Sequence, residues 1–324
     1  MNEFELINRL TSSLPVNKSV VVGAGDDCAV LDLGLPDQLL LFKTDAIVEG
    51  IHFPKTTPPE KIGHKALGRC LSDIAAMAGT PTAALVTLAL PRDFDPGFVE
   101  AIYAGLNALA RRHEVAIVGG ETTTNPERML ISVSVLGTVA KGKCALRSGA
   151  LAGDAIFVTG ELGGSLSGKH LEFEPRLAEA RWLAENFSPH AMMDISDGLA
   201  GDLRHLLQAS RAGAELLSSA VPISRVVRGR RREETGDGAR PQAPPPHTGG
   251  YKPPLLAALT DGEDFELLFT VGSQHAVPLL DAWKKHFPKL PLSCIGKVTA
   301  GSGMTIRDKH EIRPLTAHGY THFA

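Results

Sequence analysis

Apolar residues return every three or four positions in some stretches of the chain and every second position in others. Over residues 60–78, Ile62, Ala66, Cys70, Ile74 and Met77 follow the 3.6-residue period. Pro58 and Pro59 precede the run and Gly79 ends it, which predicts a helix. The same spacing predicts helices over residues 1–14 (Phe4, Ile7, Leu10), 96–113 (Val99, Ile102, Leu106, Leu109), 175–186, 199–211 and 274–287. Strict alternation of Ile131, Val133 and Val135 with Ser132 and Ser134 predicts a strand over residues 129–139. Short apolar runs predict further strands over 83–90, 155–159, 265–271 and 292–299. Two more are expected over 39–42, ending at the polar Lys43-Thr44-Asp45, and over 115–118, ending at Gly119-Gly120.

Strands and helices thus mix throughout, and the fold class expected is α/β (mixed α+β). A length of 324 residues predicts two domains, placed at residues 1–140 and 141–324 with the connection over 141–153. Residues 225–254 break the pattern. They hold Arg230-Arg231-Arg232, Pro244-Pro245-Pro246 and almost no aliphatics after Val227, and read as a mobile surface insertion.

Composition narrows the function classes. Hydrophobic residues make up 43 % and charged residues 21 %, so a large core can be buried and wholesale disorder is excluded. A net charge of −3 gives no electrostatic reason to expect nucleic acid, and an aromatic content of 5 % argues against a stacking platform, so no nucleic-acid partner is expected. The four cysteines, Cys28, Cys70, Cys144 and Cys294, form no CxxC pair, which fits a reducing compartment. No signal peptide and no membrane span are expected, so the predicted location is cytoplasmic.

The acidic residues are placed rather than scattered. Asp26-Asp27 follows Gly25, Asp45 ends an expected strand, and Asp73 lies on an apolar helix stretch. Glu121 follows Gly120, Asp194 and Asp197 bracket Ile195-Ser196, and Glu263 sits in Gly262-Glu263-Asp264. Each has a plain structural reading: Asp197 as a helix cap, Asp26-Asp27 as a turn, the Glu263 group as a solvated strand entry. Two carboxylates ~4 Å apart repel by roughly 4 kcal/mol at an effective dielectric of 20, so convergence of several demands a cation. Few Lys or Arg stand near these motifs, and hard oxygen donors without His or Cys point to Mg²⁺.

In combination these motifs resemble the thiamine-monophosphate kinases, within the superfamily that includes aminoimidazole ribonucleotide synthetase. The resemblance rests on Gly25-Asp26-Asp27-Cys28-Ala29, Thr44–Phe53 with its His52, Leu71-Ser72-Asp73, Gly119-Gly120-Glu121-Thr122, Arg147-Ser148-Gly149, Asp194-Ile195-Ser196-Asp197-Gly198, Gly262-Glu263-Asp264 and the tail Gly319-Tyr320-Thr321-His322-Phe323, in family order. It implies a two-domain fold whose N-terminal sheets pair into a barrel in a homodimer, with residues 1–140 as the ATP- and Mg²⁺-binding half. It implies ATP-dependent phosphorylation of thiamine monophosphate. Asp27, Thr44, Asp45, Asp73, Asp194 and Asp197 would be Mg²⁺ ligands, and Asp45, Asp73, Asp194 and Asp197 would carry the catalysis. Gly120, Glu121, Arg147 and Ser196 would contact ATP, and His52, Glu263 and Tyr320 the thiamine phosphate.

Two positions depart from the family pattern. Glu121 stands where Asp is usual, so its place as a metal ligand is open. Lys43 stands where a small hydroxyl is common; its backbone carbonyl could serve the metal, or its side chain could contact phosphate. The alternatives are another ATP-using enzyme of the superfamily, or a silent nucleotide-binding homologue with Glu121 as its lesion. Gly163–His170 is P-loop-like but lacks the Mg²⁺-binding hydroxyl, since His170 follows Lys169.

Overall fold

The computed structural model describes residues 3–234 and 252–320, and divides into two compact units. One comprises residues 17–144 and 170–181; the other comprises 1–16, 145–169 and 182–324. A mixed α/β class is found in both.

The first unit is a six-stranded sheet of β1 (Val20–Val22), β2 (Ala29–Leu31), β3 (Gln38–Val48), β4 (Thr80–Leu90), β5 (Ala116–Thr124) and β6 (Leu130–Ala140). The order is β1-β2-β3-β6-β4-β5. In the numbering used below α1 is Glu3–Thr11, so the helices of this unit are α2 (Pro59–Ala76) and α3 (Pro96–Arg112). Pro59 opens α2 with a φ already suited to a helix, and Asp95 caps α3 by accepting from Gly97 N. The apolar stripe read in α2 understates its burial, because Gly63, Leu67, Leu71 and Ala75 are buried as well. Two glycines bring α2 and α3 together. A Cβ on Gly63 would stand 1.9 Å from Ile102 O, and one on Gly105 would stand 1.8 Å from Glu60 O.

Two strands run further than their sequence suggests. β3 continues through Lys43, Thr44 and Asp45 to Val48, paired with β6 from Gln38↔Ala140 to Val48↔Leu130. The polar triplet therefore lies in mid-strand rather than closing it. β5 likewise runs through Gly119, Gly120 and Glu121 to Thr124. Gly120 is needed there because a Cβ would meet Val86 O at 1.8 Å.

The second unit carries a seven-stranded sheet in the order β13-β12-β9-β11-β7-β10-β8. Its strands are β7 (Ala155–Thr159), β8 (Ala191–Asp194), β9 (Gly213–Leu217), β10 (Leu267–Val271), β11 (Leu292–Thr299), β12 (Gly303–Arg307) and β13 (Ile312–Pro314). β7, β8 and β10 are wholly buried. The chain returns to this unit within α4 (Leu177–Asn186) and continues with α5 (Leu199–Ser210), α6 (Arg225–Glu234), α7 (Pro254–Thr260) and α8 (Ala276–His286). The segment read as an insertion from residue 225 thus begins and ends in helix, while residues 235–251 lie outside the described residues. Met192 and Met193 are core, as their apolar run implied. Trp182 and Trp283 meet edge to face with centroids 5.8 Å apart, beside Phe187, His286 and Phe287.

Candidate active site

In the first unit the site is built on the face of β3 that looks at α2. Alternation along the strand puts Leu41, Lys43, Asp45 and Ile47 on one side, with Leu41 and Ile47 buried. Two charged residues on that face meet two on α2. Lys43 Nζ lies 3.0 Å from Asp73 Oδ1, and Arg69 Nε lies 2.9 Å from Asp45 Oδ2. The expectation that these carboxylates lack neighbouring cations is therefore corrected: Lys43 and Arg69 supply them.

The electrostatics follow from that pairing. Burial alone would push the Lys43 ammonium down, but Asp73 and Asp45 outweigh it and hold the group well above the ordinary lysine range. Burial would raise Asp45, yet Arg69 and Lys43 hold its carboxyl below the usual carboxylate range. Around them Cys28 and Cys70 are thiols that burial pushes well up, helped by Asp73 for Cys28 and by Asp45 and Asp73 for Cys70. Cys70 Sγ donates to Val133 O at 3.2 Å. Protonated sulfurs leave the donor set one of hard oxygens. Asp27 and Asp73, both buried, present carboxylate oxygens within 4.8 Å of each other. Such a pair fits Mg²⁺ rather than Zn²⁺. The Lys43 side chain, a charged ammonium, has no lone pair to offer a metal.

Thr44 points to the opposite face, where Ser134 Oγ donates to its Oγ1 at 3.0 Å. Glu121 pairs in register with Thr87, in the row that contains Leu85, and is exposed; its Oε1 accepts from Thr122 N at 3.1 Å. By strand alternation it belongs to the other side of the sheet from Lys43 and Asp45. His52 closes the turn after β3. Its Nδ1 accepts from Val48 N at 3.0 Å, which leaves Nε2 as the protonated nitrogen. The fully buried Lys65 reaches the His52 carbonyl at 2.6 Å and His170 Nδ1 at 2.8 Å.

In the second unit the candidate residues gather at the end of β8. Asp194 is the last residue of that strand and is buried. Asp197 does not cap α5: the N-cap is Gly198 at φ 106°, with no side-chain cap bond. The turn is fastened by backbone bonds instead. Glu263 N donates to Ser196 O at 2.6 Å, Phe265 N to Ile195 O at 2.8 Å, and Tyr320 N to Asp197 O at 2.8 Å. Glu263 holds φ +63°, a left-handed conformation that a non-glycine residue adopts only under constraint. Glu263, Ser196, Asp197 and Tyr320 are thus held around one turn. Arg147, half-buried, precedes the unit's first strand, its carbonyl accepting from Ser210 Oγ at 3.1 Å.

Sequence reasoning missed Asp202. It is buried in the first turn of α5, and its Oδ2 accepts from Asp197 N at 3.1 Å. Burial, then Asp197 and Asp194, push its carboxyl well up. An acid in the first turn of a helix is ordinary by sequence, and only its burial marks it out. Gly163–His170 is not a phosphate cradle. Gly163 N donates to both oxygens of Asp264, Gly164 N to Asp261 Oδ2, and Lys169 Nζ sits 2.7 Å from Glu266 Oε1. The amides and the ammonium that a phosphate would need are already bound to carboxylates.

Residues 25–139 match the family model of the AIR synthase related protein, N-terminal domain. Thiamine-monophosphate kinase of Rhodopirellula baltica is 38 % identical over 91 % of this chain and 87 % of its own length. The thiamine-monophosphate kinase of Bacillus subtilis is 32 % identical over 100 % of both chains. The solved structure of AaThiL complexed with AMPPCP and TMP superposes with a TM-score of 0.78 at 29 % identity, over 99 % of this chain and 97 % of that one. The chain belongs to the thiamine-monophosphate kinase family.

Proposed function

We infer that this chain transfers the terminal phosphoryl group of ATP to thiamine monophosphate, giving thiamine diphosphate and ADP. The observation that carries the reading is the Asp194–Asp197 turn, which holds Ser196, Glu263 and Tyr320 by short backbone bonds in a chain of this family. The nucleophile is a phosphate oxygen of the acceptor, anionic near neutral pH, so no strong general base is needed. The obstacle is the meeting of two anions, and catalysis is positioning plus charge neutralisation.

We propose Asp27 and Asp73 as magnesium ligands in the first unit, with the Lys43 carbonyl as a further candidate; Thr44 and Glu121 lie on the other face of the sheet, and Arg69 and the Ala46 amide already occupy the Asp45 oxygens. Asp194 and Asp197 are proposed as ligands in the second. Bound Mg²⁺ supplies positive charge to the phosphate oxygens. Arg147 grips phosphate with a forked guanidinium, and Ser196 and the Gly120-Glu121 segment contact the nucleotide. His52 donates from Nε2 to the acceptor phosphate. Glu263 orients the thiamine, and the half-exposed Tyr320 ring offers a face to its cationic thiazolium.

A homodimer is part of the same proposal, with residues 1–140 as its nucleotide- and metal-binding, dimer-forming half. Phe42, Leu85 and Leu136 share the face of the six-stranded sheet turned away from α2 and are 37–48 % exposed. A second copy would cover this apolar row. Among the described residues no helix is long and apolar enough to cross a membrane, and no disulfide joins the four cysteines. We propose a cytoplasmic enzyme. The test is product formation from ATP and thiamine monophosphate with Mg²⁺, with thiamine as control acceptor. Thiamine diphosphate from the monophosphate alone is expected; Mg²⁺-dependent ATP binding without product would overturn the reading.

A further inference from the structure

We infer that Lys43 and Arg69 are resident cations that take the place of one divalent ion at Asp45 and Asp73. The geometry is reciprocal. Two residues along a strand advance about 6.7 Å, and four along a helix advance about 6 Å. Lys43 and Asp45 on β3 therefore face Asp73 and Arg69 on α2 as two crossed pairs, at 3.0 and 2.9 Å. Together Lys43 and Arg69 carry two positive charges, the charge of one Mg²⁺.

Each cation also sits on an oxygen that a metal would need. Mg²⁺ accepts oxygens only at ~2.0–2.1 Å in octahedral geometry. The Lys43 ammonium on Asp73 Oδ1 and the Arg69 guanidinium on Asp45 Oδ2 fill that space and repel a dication. The other Asp45 oxygen accepts from Ala46 N at 3.2 Å. The guanidinium cannot deprotonate to make way. Charge that these carboxylates would otherwise draw from solution is therefore built into the chain, and the metal content is lower by one ion than the carboxylate set alone would demand. The inference deepens the magnesium reading proposed above and rests on it.

Metal counting tests it without reference to turnover. Mn²⁺ bound per chain is read from the loss of the free-ion EPR signal, with a non-hydrolysable ATP analogue present, for wild type, Lys43→Ser, Lys43→Arg and the Lys43→Ser/Arg69→Gln double variant. The double variant is expected to bind about one more Mn²⁺ than wild type, Lys43→Ser to move the same way, and Lys43→Arg, which keeps the charge, to match wild type. A second readout needs no nucleotide. Mg²⁺ at ~100 times its dissociation constant should raise the Tm of Lys43→Ser by roughly 5–10 °C more than that of wild type. Equal metal counts and equal Tm shifts in wild type and variants would overturn the inference and leave the magnesium reading intact. Absence of Mn²⁺ binding in every form would overturn both.

Discussion

Asp45 Oδ2 accepts from Arg69 Nε at 2.9 Å, so a strand carboxylate and a helix guanidinium join β3 to α2 through charge, beside the Lys43–Asp73 pair. Removing one partner of a buried pair costs more than the pair contributes, because the other charge stays behind. The side chains are 25 % and 16 % exposed, which reduces that cost. Arg69→Met should lose about 1–3 kcal/mol in EDTA, and a double-mutant cycle with Asp45→Asn should recover much of it. Urea unfolding followed by circular dichroism is the measurement. A coupling near zero would show that the two side chains are solvated independently.

The crossing of α2 and α3 gives a second expectation. Gly105→Ala would place a methyl 1.8 Å from Glu60 O, so the helices must separate. Overpacking of this kind should cost about 2–3 kcal/mol. Gly142→Ala, where a Cβ would meet nothing within 4 Å, controls for general glycine loss, though its φ of +79° adds local strain. If both variants melt alike, the close approach of the helices carries no special weight.

The tail can be tested through binding. A Cβ on Gly319 would stand 2.4 Å from Asp197 O, the atom that accepts from Tyr320 N. Gly319→Ala should push the tail off the turn and lower kcat/KM for thiamine monophosphate by roughly 10–100-fold, mainly through KM. The unfolding midpoint should hardly move, since residues 318–320 belong to no strand or helix. A lowered Tm with KM unchanged would make Gly319 a packing residue only.

Asp264 makes stability depend on pH. Burial pushes its carboxyl up to about 7 from an ordinary 3.8, against the pull of Lys169 and the Gly163 amide, with Glu266 and Asp261 adding to the rise. Between about pH 4 and pH 7 the folded chain keeps a proton that the unfolded chain has lost. Its contribution is therefore full below pH 4 and is lost as the pH climbs to 7. Asp264→Asn should flatten that part of the stability curve, measured as urea midpoints from pH 4.5 to 7.5. An unchanged slope would place the titration elsewhere.

Much of the fold was legible where one physical signal dominated. The period of Ile62, Ala66, Cys70 and Ile74 located α2, and the runs at 155–159 and 292–299 gave β7 and β11 to the residue. β3 was cut short because Lys43-Thr44-Asp45 looks like a strand end until Arg69 and Asp73, some thirty residues away, supply partners. Local sequence cannot show a long-range ion pair. Strand β8 has four residues and no alternation, and α6 is arginine-rich with almost no apolar stripe, so period alone could not find either. The candidate carboxylates stand in recognisable motifs. Asp202 was not legible, since one acid in the first turn of a helix is ordinary until its burial is known.

The paired indoles have a practical consequence. Trp182 and Trp283 are the only two tryptophans in the chain, and both belong to the unit with the seven-stranded sheet. Intrinsic fluorescence excited at the indole band therefore reports on that unit alone, while the unit that holds Lys43, Asp45, Asp73 and the α2–α3 crossing is dark. Fluorescence and circular dichroism recorded on one sample would separate the unfolding of the two halves without any label.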